Sequence, residues 1–194
     1  FSAVSAIEGL YKINTGKLVS FSVQQLVDCD TQDHGCAGGH PSVAFLYVAG
    51  NGLQTEATYP YTARTESCRY DQSLAIKTGV TGSAFVYALN NSTQLKTAIV
   101  NQPVSVLVEG DQDVFQFYAG GVISNNCGPL LNHAVTAIGY GIFNGEDSFI
   151  VRNSWGTDWG LQGYAYISTT TQVNNGFGPC GILLQPQYPK GLNK

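Results

Sequence analysis

The sequence predicts an α+β fold in two lobes, a helical lobe over residues 1–80 and an antiparallel β lobe over 81–194. Three observations predict it. Apolar residues of the first stretch recur at helical spacing, at Phe1, Val4, Ile7, Leu10 and Tyr11. From residue 104 onward, short β-prone runs are punctuated by Gly, Asn and Asp. With 194 residues, the chain is long enough to bury a sizeable core as one domain or two small lobes. Helices first and strands after is the order of α+β rather than alternating α/β proteins. A cleft between two lobes is a favoured place for a site.

Taken in order, the first helix covers 1–13 and stops at Gly16, a residue that tolerates the left-handed cap. Ser22 and Gln25 form a capping-box pattern, with Phe21 able to staple to Leu26, so a second helix runs to about Asp28. Cys36-Ala37-Gly38-Gly39-His40 is a tight turn, and Pro41 suits the first position of a third helix that closes near Gly50 or Gly52. Residues 53–79 read as irregular, anchored by Tyr59-Pro60-Tyr61 and Cys68. A helix at 93–100 is capped by Asn91 or Ser92 and ended by Pro103. Strands are expected at 104–108, 115–118, 134–138, 148–151 and 164–167. No internal repeat is present.

Composition narrows the function classes. Charged residues make up 11 %, and the net charge of −4 argues against nucleic acid or an anionic membrane as partner. No apolar run approaches the ~20 residues of a membrane span. The five cysteines, Cys29, Cys36, Cys68, Cys127 and Cys180, form no C-x-x-C pair and no metal-ligand spacing, so neither metal nor cofactor is expected. Scattered single cysteines suggest disulfides and an oxidising compartment, with the odd count leaving one thiol free or its partner missing. Overlapping N-x-S/T triplets at Asn90 and Asn91 agree with a secretory route, although such triplets also arise by chance. The chain opens inside an apparent helix without an initiator Met, so it is expected to be a fragment.

Two polar residues set into apolar runs draw attention. His133 begins the run Ala134, Val135, Ala137, Ile138; Asn153 follows Phe149, Ile150 and Val151 and precedes Ser154-Trp155-Gly156. Each has a structural reading, as a satisfied core histidine and as an amide bonded to backbone. Together they also suit an imidazole base and the amide that orients it without adding charge, with an indole to keep water away. His34 lies in a polar loop and reads as solvated; His40, after two glycines, reads equally as a groove-lining or a surface residue. No G-x-S-x-G elbow offers a serine nucleophile. Cys29 and Cys36 do not open a helix, where the dipole would lower a thiol pKa.

The ordered motifs Phe1-Ser2-Ala3-Val4, Leu26-Val27-Asp28-Cys29-Asp30, Gly35-Cys36-Ala37-Gly38-Gly39, Tyr59-Pro60-Tyr61, Gln102-Pro103-Val104-Ser105-Val106, Asn132-His133-Ala134-Val135 and Asn153-Ser154-Trp155-Gly156 resemble the papain-like cysteine proteases. The resemblance covers essentially the whole chain. It implies a papain-like fold with a helical left lobe, a β-barrel-like right lobe and the active-site cleft between them. It implies a cysteine endopeptidase of Cys-His-Asn type, with His133 as acid/base, Asn153 as its orienter and Trp155 over their contact. The family's C-G-[SA]-C-[WY] motif is absent, and by resemblance its nucleophile would lie just upstream of Phe1, about 135 positions before His133 and within the ~130–150 of the family signature. The fragment alone is therefore expected to be inactive and poorly stable.

The same resemblance pairs Cys29 with Cys68 and Cys127 with Cys180, and leaves Cys36 unpaired here. It gives Gly38 and Gly39 a strand-like backbone contact to an extended peptide. It builds the main specificity subsite from His40, Pro41, Leu107, Asn132, Ala134 and Gln185. His40 departs from the bulky aromatic that relatives often carry, and Gln185 is polar, which implies tolerance for a polar or basic side chain. Expected partners are a peptide or protein substrate, a propeptide and a cystatin-like inhibitor, on a monomer that is lysosomal, vacuolar or secreted. The alternative is a homologue with Ser or Gly at the nucleophile position and a structural or binding role.

Overall fold

In the computed structural model, which describes residues 1–191, the chain divides into two compact units. One holds Phe1, residues 3–84 and the described end of the chain from Tyr188; the other holds Ser2 and residues 85–187.

The first unit is built on α1 (Ser2–Thr15), α2 (Val23–Cys29) and α3 (Pro41–Asn51). Val4, Ile7 and Leu10 of α1 bury their side chains in one core with Phe21, Leu26, Phe45, Val48 and Leu53. This is the stripe that the helical spacing of the sequence announces. Gly16 ends α1 with φ 72°, and its N–H returns to Lys12 O. Ser22 caps α2, its hydroxyl accepting from Gln25 N at 2.9 Å. The reciprocal half of the expected capping box is not made. Gln25 turns inward instead, where its Oε1 accepts from Gln54 N at 2.8 Å, and Ser22 N–H goes to Gln54 O. Gln25 and Gln54 are both buried, so their polar groups must pair with each other's segments rather than with water. Pro41 occupies the first turn of α3, as its missing N–H allows.

The stretch 53–79 is irregular, yet side chains satisfy its backbone. Thr62 N–H donates to Gln24 Oε1, Glu66 N–H to Asp28 Oδ1 and Arg69 N–H to Tyr59 Oη. A disulfide between Cys29 and Cys68 ties it to the end of α2. β1 (Val80–Phe85) and β7 (Gln187–Gly191) are neighbouring strands that the sequence did not announce. Gly82 in β1 and Pro189 in β7 are residue types that strands usually avoid.

The second unit contains α4 (Ser92–Asn101), β2 (Val104–Val108), α5 (Asp113–Gln116), β3 (Val122–Ile123), β4 (His133–Phe143), β5 (Glu146–Arg152) and β6 (Tyr164–Ser168). Its strands run in the order β2-β4-β5-β6-β3. All are antiparallel to their neighbours except β3, which lies parallel to β6. All five residues of β2 are buried, which explains why four of them are apolar and only Ser105 is polar. Ser2 belongs to this unit, with its Oγ donating to Val135 O at 2.7 Å. A second disulfide joins Cys127 to Cys180.

Two expectations fail here. Residues 115–118 are not a strand: Phe115 N–H and Gln116 N–H both return to Gln112 O, closing the short helix α5. The physical reason is the three-residue spacing of Phe115 and Tyr118. A helical turn sends both rings to Trp159, at centroid distances of 5.2 and 5.8 Å. Nor does β4 end at Ile138. A register shift between Ala137 and Gly139 leaves Ile138 as the extra residue of a bulge; Gly139 pairs with Ile150, and the strand continues to Phe143.

Candidate active site

Strand register in the second unit carries His133 and Asn153 toward each other. His133 opens β4 opposite Val108, the last residue of β2. Asn153 follows Arg152, which ends β5 opposite Thr136 of β4. The result is a hydrogen bond of 2.8 Å between His133 Nε2 and Asn153 Oδ1. The same oxygen accepts from Ser154 N–H at 2.8 Å. That second donor settles the amide orientation, since an amide nitrogen in this position would face the Ser154 N–H. Nε2 therefore carries the proton, and in the neutral ring Nδ1 is the basic nitrogen. Asn153 is 8 % exposed, and its Nδ2 is buried with no partner among the described residues.

Aromatic rings wall this pair. Trp155 stacks on the His133 ring at 4.6 Å with 27° between the planes. Phe115 meets the histidine edge-on at 6.1 Å and Trp155 at 5.7 Å. Trp159 anchors the group, its Nε1 donating to Phe115 O at 3.2 Å and Gln116 O at 3.1 Å. Burial among these rings pushes the His133 imidazole below its ordinary value, and the Asn153 oxygen pulls the other way.

Sequence reasoning missed three contributors. Gly110 donates its N–H to Asn132 Oδ1 at 2.7 Å, and a Cβ on it would stand 2.7 Å from His133 Cβ. A glycine is what lets the turn after β2 pass so close to the histidine. Glu109, buried beside it, accepts from Gln112 Nε2 at 3.1 Å and holds the same turn. Phe115, expected on a strand, lies instead in α5, edge-on to the histidine. A Glu-Gly pair directly after the mostly apolar strand Val104–Val108 was the available signal for the first two.

The remaining candidate residues separate into two groups. In the second unit, Leu107 pairs with Ala134 across β2 and β4, Asn132 N–H donates to Val108 O, and Gln185 is exposed. In the first unit, Gly38, Gly39, His40 and Pro41 form the turn into α3. Gly38 has φ 114°, a conformation that side chains resist. Asp33 clamps this turn: its Oδ1 accepts from His40 N–H at 2.9 Å, and a Cβ on Gly39 would stand 2.4 Å from its Cγ. His34 N–H donates to Gly38 O, and His40 Nδ1 pairs with Ser42 Oγ at 3.0 Å. Sequence reasoning did not single out Asp33. Cys36 is an exposed free thiol in the 3₁₀ turn Gly35–Ala37. Among the described residues no group of three or more His, Cys, Asp or Glu side chains could hold a metal ion, and no helix is long and apolar enough to cross a membrane.

Chemically, the second unit offers an imidazole held by one nitrogen and basic at the other, in a site that aromatic rings shield from water. Such a group accepts a proton from an acidic nucleophile and returns it to a leaving group. Comparison with known proteins gives the chain its setting. The family model described as "Papain family cysteine protease" matches residues 1–190. Chymopapain of Carica papaya is 42% identical over 189 residues, covering 97% of this chain and 53% of that protein. The senescence-specific cysteine protease SAG12 of Arabidopsis thaliana is 46% identical over 191 residues, covering 97% of this chain and 54% of that protein. The chain thus spans about half the length of these curated relatives. Among solved structures, the Carica candamarcensis cysteine protease CMS1MS2 in complex with E-64 superposes with a TM-score of 0.89 at 39% identity, covering 100% of this chain and 87% of that one. The ragweed pollen allergen Amb a 11, a cysteine protease in its proform, gives 0.89 at 36% identity, covering 99% of this chain and 59% of that one.

Proposed function

We propose a function from one premise: the chain belongs to the papain family of cysteine proteases. His133 is the acid/base and Asn153 the orienting residue of a Cys-His-Asn endopeptidase. The hydrogen bond from His133 Nε2 to Asn153 Oδ1, under the stacked Trp155, carries this reading. It holds the ring and leaves Nδ1 to exchange a proton with a thiol. The attacking thiolate comes from none of the five cysteines here. Four are in disulfides, and Cys36 sits in a three-residue 3₁₀ turn rather than at the start of an α-helix.

In the full-length protein, the thiolate attacks a peptide carbonyl while His133 is protonated. His133 then gives its proton to the leaving amine, forming the acyl-enzyme, and takes one from the water that hydrolyses it. Asn153 contributes no charge, so the imidazolium stays available as the thiolate's counter-ion. The exposed backbone of Gly38, opened by a φ that only glycine adopts readily, suits strand addition by an extended peptide. Gln185 brings a polar side chain to substrate selection, which favours acceptance of polar or basic residues beside apolar ones.

The partners are a peptide substrate, a propeptide and inhibitors of the E-64 kind, since relatives of this fold were solved in complex with E-64 and as a proform. A vacuolar or secreted location suits the two disulfides. Peptide hydrolysis by the full-length protein and its His133→Ala variant tests the assignment. General acid/base catalysis is worth about 10²–10⁴-fold, so the variant should lose at least a hundredfold in kcat/KM while its circular dichroism is unchanged. Turnover by a folded His133→Ala variant at the parent rate overturns it, as does thiol-dependent turnover by the 194-residue chain alone.

A further inference from the structure

We infer that the protein carries an N-linked oligosaccharide on Asn91, and on Asn91 rather than on its neighbour Asn90. The inference rests on the secretory location proposed above. The sequence Asn90-Asn91-Ser92-Thr93 contains two overlapping acceptor triplets, one ending in Ser92 and one in Thr93. The fold treats the two asparagines differently.

Asn90 is committed to a native contact. Its backbone is left-handed, with φ 55°, and its N–H donates to Gly176 O at 3.0 Å. Its carboxamide packs against the bare α-carbon of Gly176. A Cβ there would fall 1.7 Å from Asn90 Oδ1 and 2.7 Å from Nδ2. A sugar bonded to this Nδ2 would have to lift the side chain off the 174–176 turn. Asn91, exposed like Asn90, caps α4 through its backbone alone, with no side-chain cap bond. Its amide is available at no cost to the fold. Thr93 is exposed as well.

The transfer is a substitution at the anomeric carbon of a lipid-diphosphate-linked oligosaccharide, the donor that the secretory pathway must supply. The bond from Asn91 Nδ2 to that carbon forms and the bond from the carbon to the diphosphate oxygen breaks. The amide loses one proton to the transferase, and the lipid diphosphate leaves. Once Asn91 is occupied, the adjacent Asn90 is blocked by the sugar, so one glycan per chain is expected. The stretch leading into the site carries Tyr87, 90 % exposed, and Leu89, 50 % exposed. A hydrophilic oligosaccharide two residues further on sets a solubilising group beside this apolar surface.

The test is expression of the full-length protein in a eukaryotic secretory host, followed by amidase deglycosylation in heavy-oxygen water and peptide mass spectrometry. Heavy aspartate is expected at position 91 and not at 90. Ser92→Ala destroys only the Asn90 triplet and should retain the glycan at parent occupancy. Thr93→Ala destroys only the Asn91 triplet and should lose it. Label at Asn90, or unchanged occupancy in Thr93→Ala, overturns the assignment. The Cys29–Cys68 disulfide is scored in the same digest. A formed disulfide with bare Asn91 overturns the glycan alone, whereas a reduced pair with bare Asn91 overturns the secretory location and the glycan with it.

Discussion

Replacing Asn153 by Ala should move the His133 titration in a direction that burial alone dictates. In the parent, burial is the largest influence on the ring and disfavours the imidazolium, while the Asn153 oxygen at 2.8 Å favours it. Removing the carboxamide takes away the raising influence, so the His133 value falls further below the ordinary ~6.5. Asn153→Asp puts a carboxylate in the same place and should raise it. The stability cost follows from the same geometry. Asn153 is 8 % exposed, and its oxygen serves two donors, His133 Nε2 and Ser154 N. Stranding a buried donor costs about 1–3 kcal/mol, so Asn153→Ala should lose about that much at neutral pH. In the full-length protein the same energy, taken from the positioned base, amounts to a fall of about 5–150-fold in kcat/KM. The pH dependence has a definite sign. Because the folded value of His133 lies below the unfolded one, the unfolded chain binds the extra proton between the two. Stability therefore declines as pH drops from about 6.5 toward the folded value, and levels off beneath it. In Asn153→Ala the decline should continue to lower pH. The assay is NMR titration of the imidazole C2 proton, assigned by its loss in His133→Ala, with urea midpoints measured across the same pH range. A His133 value that rises or stays put in Asn153→Ala would refute the reasoning.

Three further outcomes are expected. Gly110→Val places a branched side chain where a Cβ alone would stand 2.7 Å from His133 Cβ, so it should cost about 1–3 kcal/mol by overpacking, read from the thermal midpoint, and displace the His133 ring resonances. A variant that melts with the parent and keeps those shifts would show that the turn after β2 yields freely. Trp155→Ala removes the ring stacked on His133 at 4.6 Å, and with Trp155 already 41 % exposed the stability loss should stay near 1 kcal/mol. The His133 Nε2 proton should instead exchange with water faster, and unchanged exchange would deny the indole its shielding role. Cys29→Ser with Cys68→Ser opens a loop of 39 residues, for which chain entropy gives about 4 kcal/mol, read as a lower urea midpoint; a loss under about 1 kcal/mol would mean that the segment 53–79 stays ordered in the unfolded chain.

What the sequence made legible was local. The stripe of Val4, Ile7 and Leu10, the stop at Gly16, the Ser22 cap and the Pro41 start depend on residues within one or two turns of one another, and the fold has them where those neighbours dictate. The failures involve partners far along the chain. Gln25 abandons the capping box for Gln54, 29 residues on, and Phe115 turns helical toward Trp159, 44 residues on. No window of ten residues contains either partner. The candidate site shows the same division. His133, Asn153 and Trp155 stood out by residue type, since a polar group in an apolar strand needs a reason to be there. Their tautomer, however, depends on a register that sets Thr136 opposite Arg152 and on the bulge at Ala137/Gly139, neither of which has a local signature. Gly110 is the strictest case. Nothing within its own turn forbids a side chain; only the pairing of Val108 with His133 does, by bringing the histidine's Cβ against the turn. The glycine is thus a consequence of the site's tertiary register, which is why it becomes recognisable as part of the site only once that register is known.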